Sequence, residues 1–251
     1  MGRGARIPAG VVAVMLMQCL AVNAADIRII ASPGVASVVN ELGREFEAKA
    51  GHKIQADYAV IAVSKRKIDA GAGFDLAILE PATIDELITQ GKIVAGTQVA
   101  FGRTGIGIVV RNGAVRPDIG SADAFKKTML AAKSVGHSKE GQSGVHFLAA
   151  LERAGIAAEM KPKLRAYEGA GLSSAIASGE IELGATGIGP ALGMRESNYV
   201  GPLPAELQSY VVFTAGVSTS AGDAEATKAF LRFMTEPAAA PVFKTRGMER
   251  E

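Results

Sequence analysis

The chain has 251 residues, 48% of them hydrophobic, with 27 Lys and Arg against 25 Asp and Glu and no Trp. Two of the basic residues, Arg3 and Arg6, fall in a segment that reads as a leader, so the rest of the chain carries 25 basic and 25 acidic residues. That balance, with an aromatic content of 5%, excludes the basic and aromatic surfaces by which proteins hold nucleic acid or anionic membranes.

Arg3 and Arg6 precede an apolar run from Ile7 to Val22, and Val22-Asn23-Ala24 supplies the small residues that a signal peptidase requires. Residues 1–24 are therefore expected to be a signal peptide cleaved after Ala24, leaving a periplasmic protein. The run is short for a membrane span. The single cysteine, Cys19, lies inside it, and Gln18 before it departs from the small residue of a lipoprotein signal. The mature chain should be free of cysteine, and its length suits one large domain or two lobes.

In chain order, the apolar run at Ile27 predicts a first strand, and Ser32-Pro33-Gly34 a turn into a helix, with Ser32 as N-cap and Pro33 as first helical residue. Val35, Val38, Val39, Leu42 and Phe46 share one helical face, and Gly51 suits the C-cap. The amides of Gly34 and Val35 would point into a cleft and favour an anion. Ile54, Ala56, Tyr58 and Val60 alternate as a second strand, and Val60-Ile61-Ala62 turns into a short helix through Ile68, where Lys65, Arg66 and Lys67 read as a solvated face.

Asp75–Leu79 reads as a third strand, followed by Pro81 and a helix with Ile84, Leu87 and Ile88 on one face, stopped by Gly91. This alternation implies parallel crossovers, and Gly105–Val110 is a strand too apolar for exposure. Beyond it the pattern predicts helices at Ala122–Ala132, Gly144–Ala154, Leu172–Ser178 and Ala224–Met234. Strands are predicted around Val135, at Leu183–Thr186 and at Tyr210–Thr214. With no repeat and no long linker, two lobes would be joined where strands cross, near Arg103–Gly107 and Gln208–Thr214. The expected division is residues 25–104 plus 213–251 as lobe I and residues 105–212 as lobe II.

Turns at the ends of strands are where ligands bind in open α/β sheets. The candidates are Ser32-Pro33-Gly34, Val60-Ile61-Ala62, Gln142-Ser143-Gly144, Glu168-Gly169-Ala170 and Thr186-Gly187. Catalytic motifs are missing: there is no HExxH, no G-x-S-x-G, no P-loop Lys after Gly102-Arg-Thr-Gly105, and no third glycine of a dinucleotide fingerprint. His137 and His146 flank Gly141–Gly144, but read as a polar loop residue and a first-turn helix residue, while His52 falls in a helix-to-strand turn. Asp57, Asp75 and Glu80 are acids able to line a site, with Asp75 more simply a strand-end residue. The expectation is a binding protein without catalytic residues, cofactor or protein-ligated metal.

Ile27 to Gly51, Ile68-Asp-Ala-Gly-Ala-Gly-Phe-Asp-Leu-Ala-Ile78, Ala229-Phe-Leu-Arg-Phe-Met234 and Phe243-Lys-Thr-Arg-Gly-Met248 together resemble the periplasmic molybdate-binding proteins of ABC importers. The resemblance, to class II solute-binding proteins, runs from Ile27 to Met248. It implies a two-lobed α/β periplasmic-binding-protein fold, each lobe a mostly parallel sheet flanked by helices. The cleft between them would close on molybdate, tungstate or a related oxyanion held by neutral donors. It also implies a monomer that delivers its solute to a membrane permease.

Carried over by position, the family's first serine contact falls near Gly34 with Ser32 two residues upstream, and the second at Ile61 and Ala62. The third falls near Ser143, a backbone donor at Gly169 or Ala170, and the family's tyrosine at Gly187. The sequence departs from the family here, because Ile61, Ala62 and Gly187 bring no hydroxyl. Each lost bond to a charged ligand costs on the order of 1.5–3 kcal/mol. Either Ser32, Ser64, Ser143 and Thr186 rebuild the donor set, or the pocket is roomier and suits an organic anion. An exported sensory or hydrolytic protein is the remaining alternative.

Overall fold

The computed structural model describes residues 24–195 and 197–250. Cys19 and the predicted leader, apart from Ala24, lie outside the described residues. The first strand, β1 (Asp26–Ala31), buries Ile27, Ile29, Ile30 and Ala31 and is followed by a tight 3-10 turn at Pro33–Val35 and by α1 (Ala36–Ala50). The predicted apolar face of α1 is the buried one, and Gly51 ends the helix at φ 74°, a left-handed value that glycine adopts without a Cβ clash. Two expectations for the opening turn are corrected. The Ser32 side chain makes no capping bond, and the Val35 amide donates to the Ser32 carbonyl at 3.1 Å. The i→i+3 geometry imposed after Pro33 consumes that amide, leaving Gly34 as the one at the turn's tip.

β2 (Lys53–Tyr58) and β3 (Leu76–Leu79) flank β1 in parallel register, with α2 (Ile61–Asp69) and α3 (Pro81–Thr89) in sequence between and after them. Ile61 and Ala62 belong to α2 itself, not to the turn before it. His52, in the turn predicted for it, accepts from the Ala25 amide through Nδ1 at 3.1 Å and stacks on Phe46. Asp75, at the head of β3, is buried and accepts from the amides of Arg28 at 2.7 Å and Gly222 at 2.8 Å and from the Arg28 guanidinium at 3.2 Å. It is the strand-end residue its position suggested.

β4 (Val99–Arg111) is longer than its apolar run predicted. After it come α4 (Ala122–Ala131), β5 (Val135–Ser138), α5 (Gln142–Arg153), α6 (Ala157–Met160), β6 (Leu164–Tyr167), α7 (Gly171–Ser178), β7 (Leu183–Gly187), α8 (Ile188–Gly193) and β8 (Ser197–Pro202). The chain closes with β9 (Tyr210–Val217), α9 (Ala224–Thr235) and α10 (Ala240–Thr245). None of α6, α8, β8, β6 and α10 was predicted. The first two are short, and β8 is half-exposed along its length without apolar alternation, so periodicity carries little signal. α5 starts two residues before its predicted start, at Gln142, and His137 is a buried residue of β5 rather than a loop residue.

The strands run in the order β2-β1-β3-β9-β4-β7-β5-β6, with β8 on β4. β4 connects the two halves. Val99–Gly105 pairs with β9, whereas Ile106–Val110 pairs with β7. At this change of partner the side-chain amide of Gln208 takes the place of a strand: Oε1 accepts from the Ile106 amide at 2.8 Å and Nε2 donates to its carbonyl at 3.0 Å. Gly105 permits that approach, because a Cβ there would stand 3.0 Å from the Gln208 amide group.

Candidate functional site

β1, β2, β3, β5, β6 and β7 all present their carboxyl ends to one cavity of about 300 Å³. Parallel strands followed by helices bring helix starts to the same place, and each start exposes amides that lack an intrahelical acceptor. The walls include Pro33 and Gly34 before α1, Ile61 at the start of α2, Gln142 and Ser143 at the start of α5, Gly169 and Ala170 before α7, and Gly187 before α8. Their positive ends make the cavity a favourable place for negative charge.

Ten of the twelve predicted positions line this cavity: Ser32, Pro33, Gly34, Ile61, Gln142, Ser143, Gly169, Ala170, Thr186 and Gly187. The other two do not. Ala62 lies on the exposed side of α2. Gly144 is buried under β5, where an added Cβ would lie 1.9 Å from the Ser138 carbonyl oxygen, so its small size serves helix-on-strand packing. His137 and His146 are also absent from the lining. Burial, aided by the nearby charge of Arg153, holds the His146 imidazole below its usual range.

The wall contains groups that the turns did not point to. Thr104 comes from the middle of β4, where nothing in the local sequence marks a ligand position. Its hydroxyl donates to the Gly247 carbonyl at 2.9 Å and accepts from the Gly189 amide at 3.4 Å. Ser138 accepts the Gly141 amide at 2.9 Å, and the Tyr167 hydroxyl donates to Glu180 at 2.8 Å. The O–H groups of Thr104 and Tyr167 are therefore given to protein acceptors, whereas Ser138 uses only its oxygen in this contact. Leu172, Met194, Val211 and Phe213 add apolar surface to that of Val60 and Ile61.

Glu80 had a readable signal, since it follows an apolar strand and precedes Pro81 as the other site residues follow theirs. It is the N-cap residue of α3, makes no side-chain capping bond, and its Oε2 is buried with no hydrogen-bond partner. Burial pushes its carboxyl above the usual glutamate range, with a bond from its own backbone amide opposing the rise. The lining holds Glu80, Glu140 and Tyr167 as its titratable groups and no Lys, Arg or His. Among the described residues no cluster of three or more His, Cys, Asp or Glu is placed to hold a metal ion.

Residues 27–249 match the family model of the bacterial extracellular solute-binding proteins. An aconitate isomerase from Pseudomonas sp is 23% identical over 227 residues, covering 88% of this chain and 86% of that protein. The periplasmic molybdate-binding protein of Azotobacter vinelandii has a similar fold, with a TM-score of 0.74 at 15% identity over 88% of this chain and 98% of that one. PEB3, a Campylobacter jejuni protein, in its structure with L-phospholactate gives a TM-score of 0.69 at 12% identity over 90% of this chain and all of that one. The architecture of these structures is that of class II periplasmic solute-binding proteins, and the fold described above shares it.

Proposed function

The chain belongs to the bacterial extracellular solute-binding protein family, and from that premise we propose that its cleft takes a small organic anion, a carboxylate-bearing solute, for delivery to the permease of an ABC importer. The lining carries this reading. Five helix starts supply the positive end for a carboxylate, while much of the rest of the wall is apolar and the Thr104 and Tyr167 hydroxyls donate to protein. A carbon skeleton gains from the apolar part of the wall, while the Ser32, Ser143 and Thr186 hydroxyls that also line it are donors for the carboxylate end. Size points the same way: at roughly 30 Å³ per oxygen, four oxygens fill less than half of the cavity of about 300 Å³. The names of two similar proteins, an aconitate isomerase and a PEB3 solved with L-phospholactate, agree with an organic anion.

In the same proposal the mature protein is exported and monomeric, with residues 25–104 and 213–251 as one lobe and 105–212 as the other. The change of partner along β4 between Gly105 and Ile106 falls at that boundary. A second reading, an isomerase acting on an unsaturated acid, is favoured by Glu80 on the wall. Such a reaction needs one group that removes a proton from an allylic carbon and returns it at the other end of the double bond.

One panel separates these readings. Thermal shift and calorimetry are run with L-malate, succinate, trans-aconitate, molybdate, tungstate and sulfate, and samples with cis-aconitate in heavy water are followed by NMR. A fitting acid at one hundred times its Kd adds about 2.7 kcal/mol, which raises Tm by roughly 5–10 °C for a chain of this size. Tight binding of molybdate or tungstate with no response to any acid would overturn the organic-anion reading. Deuterium entering cis-aconitate together with formation of the trans isomer would establish the isomerase.

A further inference from the structure

The cavity combines helix starts that attract a carboxylate with a carboxyl of its own. Glu80 lines the cavity where β3 ends, and its Oε2 is buried without a hydrogen-bond partner. Among the described residues no cation lines the cavity: on α2 Lys65 is paired with Glu86 of α3 and Lys67 with Asp57, while Arg66 is exposed, and Lys139 before α5 is paired with Glu168. The titratable groups across the cavity are Glu140, which is exposed, and Tyr167, whose hydroxyl is bonded to Glu180. On its own helix Glu80 is followed by Asp85 and Glu86, which add negative charge.

An ionised Glu80 beside an organic anion would repel it, since like charges in a partly buried site are poorly screened. The protonated carboxyl reverses the sign of the contact, because it is the one state of this side chain that donates a hydrogen bond. We propose that Glu80 receives the solute's carboxylate as a protonated carboxyl, the two groups sharing one proton drawn from solvent, so that capture of the solute is coupled to proton uptake. This rests on the organic-anion reading of the cavity. It assigns Glu80 a specificity role: the site selects acids that place a carboxylate at the end of β3, and holds them more tightly as pH falls. The direction follows from linkage, since an anion that raises the proton affinity of Glu80 must itself bind better when Glu80 is protonated.

The test is calorimetry with succinate, L-malate and trans-aconitate between about pH 6 and pH 8.5, above the ordinary carboxylate range, in two buffers of different ionisation heat. The wild-type protein should take up close to one proton per ligand within part of that range, with Kd rising by up to about tenfold per pH unit. Glu80→Gln keeps a donor that does not titrate, and its Kd should be flat with pH and its proton uptake absent. Glu80→Ala should bind weakly at every pH. Wild-type binding without proton uptake, together with at least a tenfold loss in Glu80→Gln, would overturn the inference by showing an ionised Glu80 that accepts from a donor on the solute. Binding by none of the acids would remove the organic-anion reading and this inference with it, whereas pH-independent binding removes the inference alone.

Discussion

Two acids bracket β3, and burial acts on both in the same direction with opposite outcomes. At Asp75 burial pushes the carboxyl up, but the guanidinium and amide of Arg28 and the amide of Gly222 outweigh it and hold the group below the usual carboxylate range. At Glu80 Oε2 has no such donors, and burial prevails. A residue held low contributes stability that is present above its unfolded pKa of about 3.9 and is lost as pH falls toward the folded value. Asp75→Asn should therefore unfold at lower urea by about 2 kcal/mol at neutral pH, and should lose less stability than wild type on acidification below about pH 4. Equal acid sensitivity of the two proteins would show that Asp75 is not a source of acid lability. The role of Asp75 was readable in its position at the head of an apolar strand. Its donors were not, because Arg28 and Gly222 are 47 and 147 residues away.

At the scale of elements, the early strand and helix alternation was legible because each piece carries a strong local pattern. Val38, Val39, Leu42 and Phe46 fall on one buried face of α1, and Gly51 caps it. The start of α5 was misplaced because Gln142 and Ser143 are polar and lie ahead of the apolar face. What local pattern cannot show is a side chain standing in for a strand. Gln208 does so at Ile106, where β4 passes from β9 to β7. Gln208→Leu should orphan the Ile106 amide while its carbonyl keeps the Leu203 amide at 3.0 Å, costing roughly 1–3 kcal/mol in a urea melt. An unchanged midpoint would mean that water replaces the glutamine at the crossing.

For the whole molecule, in the proposed two-lobed cleft a solute held between two groups of helix starts would bind best when both reach it at once. Ligand should therefore shift the population toward a closed arrangement. Small-angle scattering of the protein with and without the best acid from the panel should show a reduced radius of gyration on binding. Identical profiles would count against closure between Gly105 and Ile106. The site is assembled from positions far apart in the chain, from Ser32 to Phe213: the shared direction of the parallel strands brings the turns together, and the antiparallel strands β4 and β9 add Thr104, Val211 and Phe213.

By itself the sequence determined the near-balanced charge, the alternation of strands and helices, and ten of the wall positions, since glycines and small residues mark strand-to-helix turns. Tertiary structure alone decided that Ala62 and Gly144 face away from the cavity, that Thr104 and Phe213 reach it, and that Glu80 meets it without a partner. The reason is physical. A turn's conformation is encoded within a few residues, whereas the burial of a carboxyl and the company it keeps depend on strands that the chain visits at widely separated points.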